Sequence, residues 1–134
     1  MSRILVIDDD KVFAKLITVY LQRCGHDVSF AHDGNEGINL FRTGSFDAVV
    51  CDIVMPDREG IETIGEIRRV NPHIAIVAIS GGLSPVQTTS VDVLHLAEMM
   101  GADVSLKKPF PLSELGLGVD RALAERAPSH SVAS

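Results

Sequence analysis

Asp8, Asp9 and Asp10 near the start of the chain, a fourth acid at Asp52, a hydroxyl at Ser80 and an ammonium at Lys108 share one property. Each stands where an apolar run stops: after Ile4 to Ile7, after Phe46 to Cys51, after Ile74 to Ile79 and just past Val104 to Leu106. If those runs are strands of one parallel sheet, their carboxyl ends lie along a single edge. In open α/β sheets, ligands bind at that edge, where the strand order reverses. Carboxylates gathered there raise one another's pKa, and a divalent cation resolves the conflict. Carboxylate oxygens with a backbone carbonyl suit Mg²⁺, which keeps several waters and accepts phosphate oxygens. Lys108 adds a point charge on a flexible stem, and Ser80 adds a hydroxyl donor. Such a set can neutralise a transferring phosphoryl group, a reaction governed by positioning and electrostatics. Asp52 is the candidate nucleophile, since carboxylates form aspartyl phosphates.

Taken singly, each signal has an ordinary explanation. An aspartate triplet can be a helix cap in a favourable dipole field, Ser80-Gly81-Gly82 can be a plain loop, and Lys107-Lys108 a solvated pair. The conjunction of all four at strand ends is what points to chemistry.

The elements that must position these groups follow from the apolar periodicity. Ile4 to Ile7 is unbroken and rich in β-branched residues, as in a strand buried on both faces. Asp10 is placed to cap a helix over about Lys11 to Arg23. There Phe13, Leu16, Ile17, Tyr20 and Leu21 form one stripe, and Gly25 supplies the stop. Val28 to Ala31 reads as an edge strand, Asp33-Gly34 as a turn, and Asn35 to Arg42 as a short helix that buries Ile38 and Phe41 and ends at Gly44. Phe46 to Cys51 is the next strand, and Met55-Pro56 a loop. A helix over about residues 59 to 70 carries Ile61, Ile64 and Ile67. Ile74 to Ile79 is followed by a polar loop, by a helix over about Val91 to Met100 with Val91, Leu94 and Met100 inward, and by a strand at Val104 to Leu106. Leu112, Leu115, Val119 and Leu123 mark a final helix. The alternation predicts an α/β fold: a five-stranded parallel sheet, doubly wound as (βα)5, with right-handed crossovers. Residues 1–126 are expected to form one domain and 127–134 a disordered tail.

With 134 residues, 46% hydrophobic and 22% charged, the chain suits one globular domain. A net charge of -6 argues against non-specific nucleic-acid binding. No apolar stretch reaches the length of a membrane helix, and no secretory signal precedes the first aspartates. Cys51 lies inside an apolar run, as a buried small hydrophobe would, and no disulfide with Cys24 is expected. The location expected is cytoplasmic. His26, His73 and His95 show no metal-ligand spacing.

Ile4-Leu5-Val6-Ile7-Asp8-Asp9-Asp10, Asp52-Ile53-Val54-Met55-Pro56, Ala78-Ile79-Ser80-Gly81, Gly101-Ala102-Asp103 and Lys108-Pro109-Phe110 occur in the order of a known pattern. To about residue 125 the chain resembles a response-regulator receiver domain of bacterial two-component signalling. The resemblance implies a flavodoxin-like strand order 2-1-3-4-5. It implies that Asp52 accepts phosphate from a phosphohistidine on a sensor histidine kinase or a histidine phosphotransfer protein. Asp8, Asp9 and Asp52, with the backbone carbonyl of Val54, would hold Mg²⁺, Asp9 being favoured over Asp8 as a direct ligand. Ser80 would bond one phosphoryl oxygen and move on activation. Lys108 would pair with another, and its bond to Pro109 is typically cis in the family.

The sequence departs from that pattern on its output side. Ser105 stands where the family carries an aromatic switch residue, so the ring that usually swings inward is missing. Ser80 and Lys108 lie 28 positions apart, about six residues more than usual, with the excess falling in Leu83 to Ser90. Gly81 and Gly82 loosen the same loop.

The expected function is a stand-alone phospho-acceptor module with weak catalysis of its own phosphorylation and dephosphorylation. It would signal by protein contact through the face made by the fourth helix, fifth strand and fifth helix, with a phosphorylation-dependent homodimer as one outcome. The downstream partner is not legible. Alternatives are a phosphorylation-independent scaffold, which Ser105 leaves open, and a flavodoxin-like binding protein, against which the aspartates after the first strand argue. An aspartyl-nucleophile phosphatase would need a cap domain for which the length leaves no room.

Overall fold

The computed structural model describes residues 2–53, 60–80, 98 and 100–126. The strands are β1 (Arg3–Ile7), β2 (Asp27–Ala31), β3 (Ala48–Asp52), β4 (Ala75–Ser80) and β5 (Val104–Lys107). The helices are α1 (Lys11–Arg23), α2 (Gly34–Thr43), α3 (Gly60–Val70) and the C-terminal α4 (Leu112–Glu125). All strands pair in parallel, in the order β2-β1-β3-β4-β5. The expected flavodoxin-like order therefore holds.

Alternation along each strand builds two cores. Leu5, Ile7, Val49, Cys51, Ile76 and Ala78 face α2 and α3, where they meet Ile38, Phe41, Ile64 and Ile67. Ile4, Val6, Val50, Val77, Ile79 and Val104 face the other way, against Ala14, Ile17 and Leu21 of α1 and Leu115, Val119 and Ala122 of α4. Burial on both faces explains why the central strands read as unbroken apolar runs. It also places the polar residue that ends each central apolar run, Asp8, Asp52 and Ser80, at the sheet's carboxyl edge.

Local signals act largely as the sequence suggests. Asp10 caps α1 by accepting the Phe13 N–H at 3.1 Å. Gly25, just past the end of α1, has φ 98°, a left-handed conformation natural to glycine. Asp33-Gly34 is not a free turn: Asp33 caps α2 through the Glu36 N–H, and Gly34 is the first helical residue. β3 begins at Ala48 rather than Phe46 because the Phe46 ring is taken by Phe41, stacked at 6.3 Å, and by the Arg3 guanidinium above it. Leu16 and Met100, expected inward, are 51% and 41% exposed; on α1 it is Ala14 that turns inward.

Both cysteines are free, with Cys51 buried and Cys24 exposed. His26 is partly buried and accepts the Ser2 N–H, and His73 is exposed. No helix among the described residues is long and apolar enough to cross a membrane. The expectations for Val54, Met55-Pro56, Gly81-Gly82, the loop over 83–90, Val91, Leu94, His95 and the tail over 127–134 lie outside the described residues.

Candidate functional site

The aspartate triplet divides its labour at the end of β1. Asp8 keeps β-type pairing through its N–H to Ala31 O at 3.1 Å, and its side chain turns inward to 1% exposure. Its Oδ1 accepts the Asp10 N–H at 2.9 Å. Asp9 is exposed, and Asp10 serves the helix. Asp52 closes β3 at 5% exposure and Ser80 closes β4 at 1%. Lys108, one residue past β5, donates its N–H to Ser80 O at 2.9 Å, so backbone pairing fixes where its side chain begins. The Lys108–Pro109 peptide bond is cis, as the resemblance implies.

These anchors bring the groups together. Lys108 Nζ stands 3.7 Å from Asp8 Oδ2 and 3.8 Å from Asp52 Oδ2. Asp8, Asp9 and Asp52 each offer an oxygen, all within 4.8 Å of one another. The Asp8 carboxyl is pushed above the ordinary carboxylate range, first by burial and further by the Asp9 charge, against the downward pull of the Asp10 N–H and the Lys108 ammonium. Its Oδ2 is buried and has no hydrogen-bond partner among the described residues. Burying a charged oxygen in that state is costly unless something pairs with it.

A hard cation fits this arrangement. Oxygens bound to one Mg²⁺ at about 2.1 Å lie about 3 to 4 Å apart, so the three carboxylates need only a small closure. The orphaned Asp8 oxygen is the position at which a cation would restore the missing contact. Beside the acids, Cys51 donates its S–H to Asp52 O at 3.3 Å. Burial, with the neighbouring Asp52 and Asp8 charges, pushes its thiol far above the ordinary range.

Asp8, Asp9, Asp52 and Lys108 thus converge, and Ser80 ends the adjoining strand. Ser105 pairs with Ala78 across β4 and β5. Its Oγ is buried without a hydrogen-bond partner among the described residues, and Ser105 lines a groove of about 340 Å³ with Leu117, Gly118 and Arg121 of α4. Two contributors escaped the sequence reading. Gly60 opens α3 against the end of β3, where a Cβ would collide with Asp52 O and Ile53 Cα. Phe13, expected only as core, lies beneath the Lys108 ammonium, which is 3.9 Å from its ring centroid. A glycine at a helix start is at best a weak signal of the first, and nothing local signals the second.

Comparison with known proteins agrees with this geometry. The family model for the response regulator receiver domain matches residues 4–119. The DNA-binding transcriptional regulator NtrC of Azospirillum brasilense is 34% identical over 127 residues, covering 95% of this chain and 25% of that protein. The transcriptional regulatory protein RprY of Bacteroides fragilis is 31% identical, covering 90% and 49%. The chain therefore spans a quarter to a half of the length of these two relatives. Among solved structures, a receiver domain from Clostridium thermocellum superposes with TM-score 0.84 at 29% identity, covering 94% of this chain and 97% of that one. The response regulator TrrA of Thermotoga maritima, solved in complex with Mg²⁺ and BeF, superposes with TM-score 0.77 at 31% identity, covering 91% and 99%. With fold, acidic pocket and family match in agreement, the chain belongs to the response regulator receiver domains, the phospho-acceptor modules of two-component signalling.

Proposed function

We propose that Asp52 is the phospho-acceptor, taking a phosphoryl group from a phosphohistidine on a sensor histidine kinase or a histidine phosphotransfer protein. The P–N bond to the imidazole breaks as a P–O bond to the Asp52 carboxylate forms. The observation that carries this reading is the Lys108 ammonium poised between Asp8 and Asp52, at 3.7 and 3.8 Å. It is at hand for a phosphoryl oxygen on Asp52 and committed to neither acid by a hydrogen bond.

Mg²⁺ would be held by Asp8, Asp9 and Asp52, with the Val54 carbonyl as a further ligand, and would supply charge neutralisation to the phosphoryl oxygens. Ser80 donates its hydroxyl to a second phosphoryl oxygen, and Lys108 pairs with a third. The Mg²⁺ and BeF in the TrrA complex support this assignment by likeness. The module spans residues 1–126. It assists its own phosphorylation and dephosphorylation, works in the cytoplasm, and signals by protein contact through β5, α4 and the segment before β5. Ser105 in place of an aromatic ring makes its switch differ from that of its relatives.

The test is intact mass after incubation with acetyl phosphate and Mg²⁺. One added phosphoryl group, absent from Asp52→Asn, is expected. An unmodified wild-type chain beside a modified control receiver would count against Asp52 as acceptor and favour a scaffold that works without phosphate.

A further inference from the structure

We propose that Phe13 is a positioning residue of the phosphoryl pocket and acts through Lys108; this rests on the reading of Asp52 as acceptor. The Lys108 ammonium has two carboxylate oxygens on one side, at 3.7 and 3.8 Å, both beyond hydrogen-bonding distance. On another side is the Phe13 ring, whose centroid lies 3.9 Å from Nζ. Phe110 meets that ring edge-on, with centroids 6.1 Å apart and planes at 86°, and both aromatics pack against the core shared by α1 and α4.

The lysine stem is long and flexible, and an ammonium is strongly hydrated. Two long ion pairs do not fix its direction. An aromatic face does two further things: it attracts the cation through the ring quadrupole, and it displaces water from one side of it. The Lys108 side chain is accordingly only 20% exposed. The ammonium is held close to Asp52 yet makes no directional bond there. Its move to a phosphoryl oxygen therefore breaks no hydrogen bond to either acid. Leucine could fill the same core volume but presents no face to a cation, and that separates positioning from packing.

The experiment follows the rate of phosphorylation by saturating acetyl phosphate with Mg²⁺ in wild type, Phe13→Leu, Phe13→Tyr, Lys108→Met and the Phe13→Leu/Lys108→Met double variant. Phe13→Leu is expected to slow the reaction about fivefold. Phe13→Tyr, which keeps the face, restores most of that loss. In the Lys108→Met background, Phe13→Leu costs nothing further. Equal losses in both backgrounds, or a Tyr variant as slow as Leu, would overturn the proposal and return Phe13 to the core. A readout free of phosphorylation accompanies the rates: the NMR signals of the Lys108 ε-methylene, shifted upfield by the ring in wild type and relaxed in Phe13→Leu. A wild-type chain that takes up no phosphoryl group overturns the acceptor reading. The ε-methylene signal then judges the contact by itself, an unshifted signal removing it and a shift lost in Phe13→Leu upholding it.

Discussion

The two edges of the sheet each bury an aspartate beside a basic side chain, and they treat it in opposite ways. At the amino edge, Asp103 Oδ1 accepts from Arg126 Nε at 2.8 Å, with Arg126 Nη2 also 2.8 Å away, while Oδ2 takes the Ile76 N–H at 2.9 Å. Arg68 joins it at 3.4 Å and also donates to the carbonyls of Pro72, Ile74 and Gly101. At the carboxyl edge, Asp8 has one backbone donor, a lysine at ion-pair range and an oxygen with no hydrogen bond among the described residues. A carboxylate with both oxygens bonded, like that of Asp103, stabilises and offers nothing to a ligand. An incompletely satisfied one weakens the fold and leaves a place for a ligand.

The contrast can be broken from either side. Asp103→Ala should have the largest effect, because it leaves two guanidiniums facing each other without their shared acid. A loss of about 3 kcal/mol is expected, discounted for the partial exposure of Arg126, and urea denaturation reads it directly. Gly60→Ala should follow at about 1–3 kcal/mol, since backbone must move to admit the methyl group. Because that backbone belongs to Asp52 and Ile53, phosphorylation should fall even in conditions where the variant is fully folded.

Asp8→Asn should go the other way. An acid whose pKa is raised by folding favours the fold while protonated; that contribution is complete below the ordinary carboxylate pKa and is lost as pH rises through the raised value. Above that value, without Mg²⁺, wild type has lost it. The asparagine variant is therefore expected to be more stable there by about 1 kcal/mol, with the advantage shrinking toward acid pH. Mg²⁺ should raise the Tm of wild type and leave that of the variant nearly unmoved. Thermal melts across pH, with and without Mg²⁺, would expose a failure of either half. The smallest effect is expected from Arg42→Ala, which removes a surface pair with Glu66 at 3.2 Å. A loss below about 0.5 kcal/mol is expected, and a larger one in the same urea assay would mean that exposed pairs matter here as much as the amino edge.

The sequence makes one edge far more legible than the other. Asp8, Asp52, Ser80 and Lys108 each follow an apolar run, and parallel pairing turns that linear rule into spatial convergence. The Asp103 network has no such rule. Asp103 lies 35 positions from Arg68 and 23 from Arg126 along the chain, and nothing local pairs them. Hydrophobicity also misleads where two outlets exist for an apolar side chain. Phe46 leaves the strand for an aromatic neighbour, and Leu16 yields the inward position on α1 to Ala14. Phe13 shows the same limit at the site, since its apolar character foretold burial but not the cation above it.

The contrast between the two cysteines has a practical consequence. Cys51 lies against Asp52, the proposed acceptor, but is buried, and its thiol is held protonated, out of reach of alkylating reagents. Cys24 is exposed just past α1, a helix that starts beside the acidic pocket and carries the chain to the opposite edge. The native chain thus carries one addressable thiol among the described residues, a helix length away from its chemistry. A fluorophore attached there could report on binding without occupying the pocket it reports on.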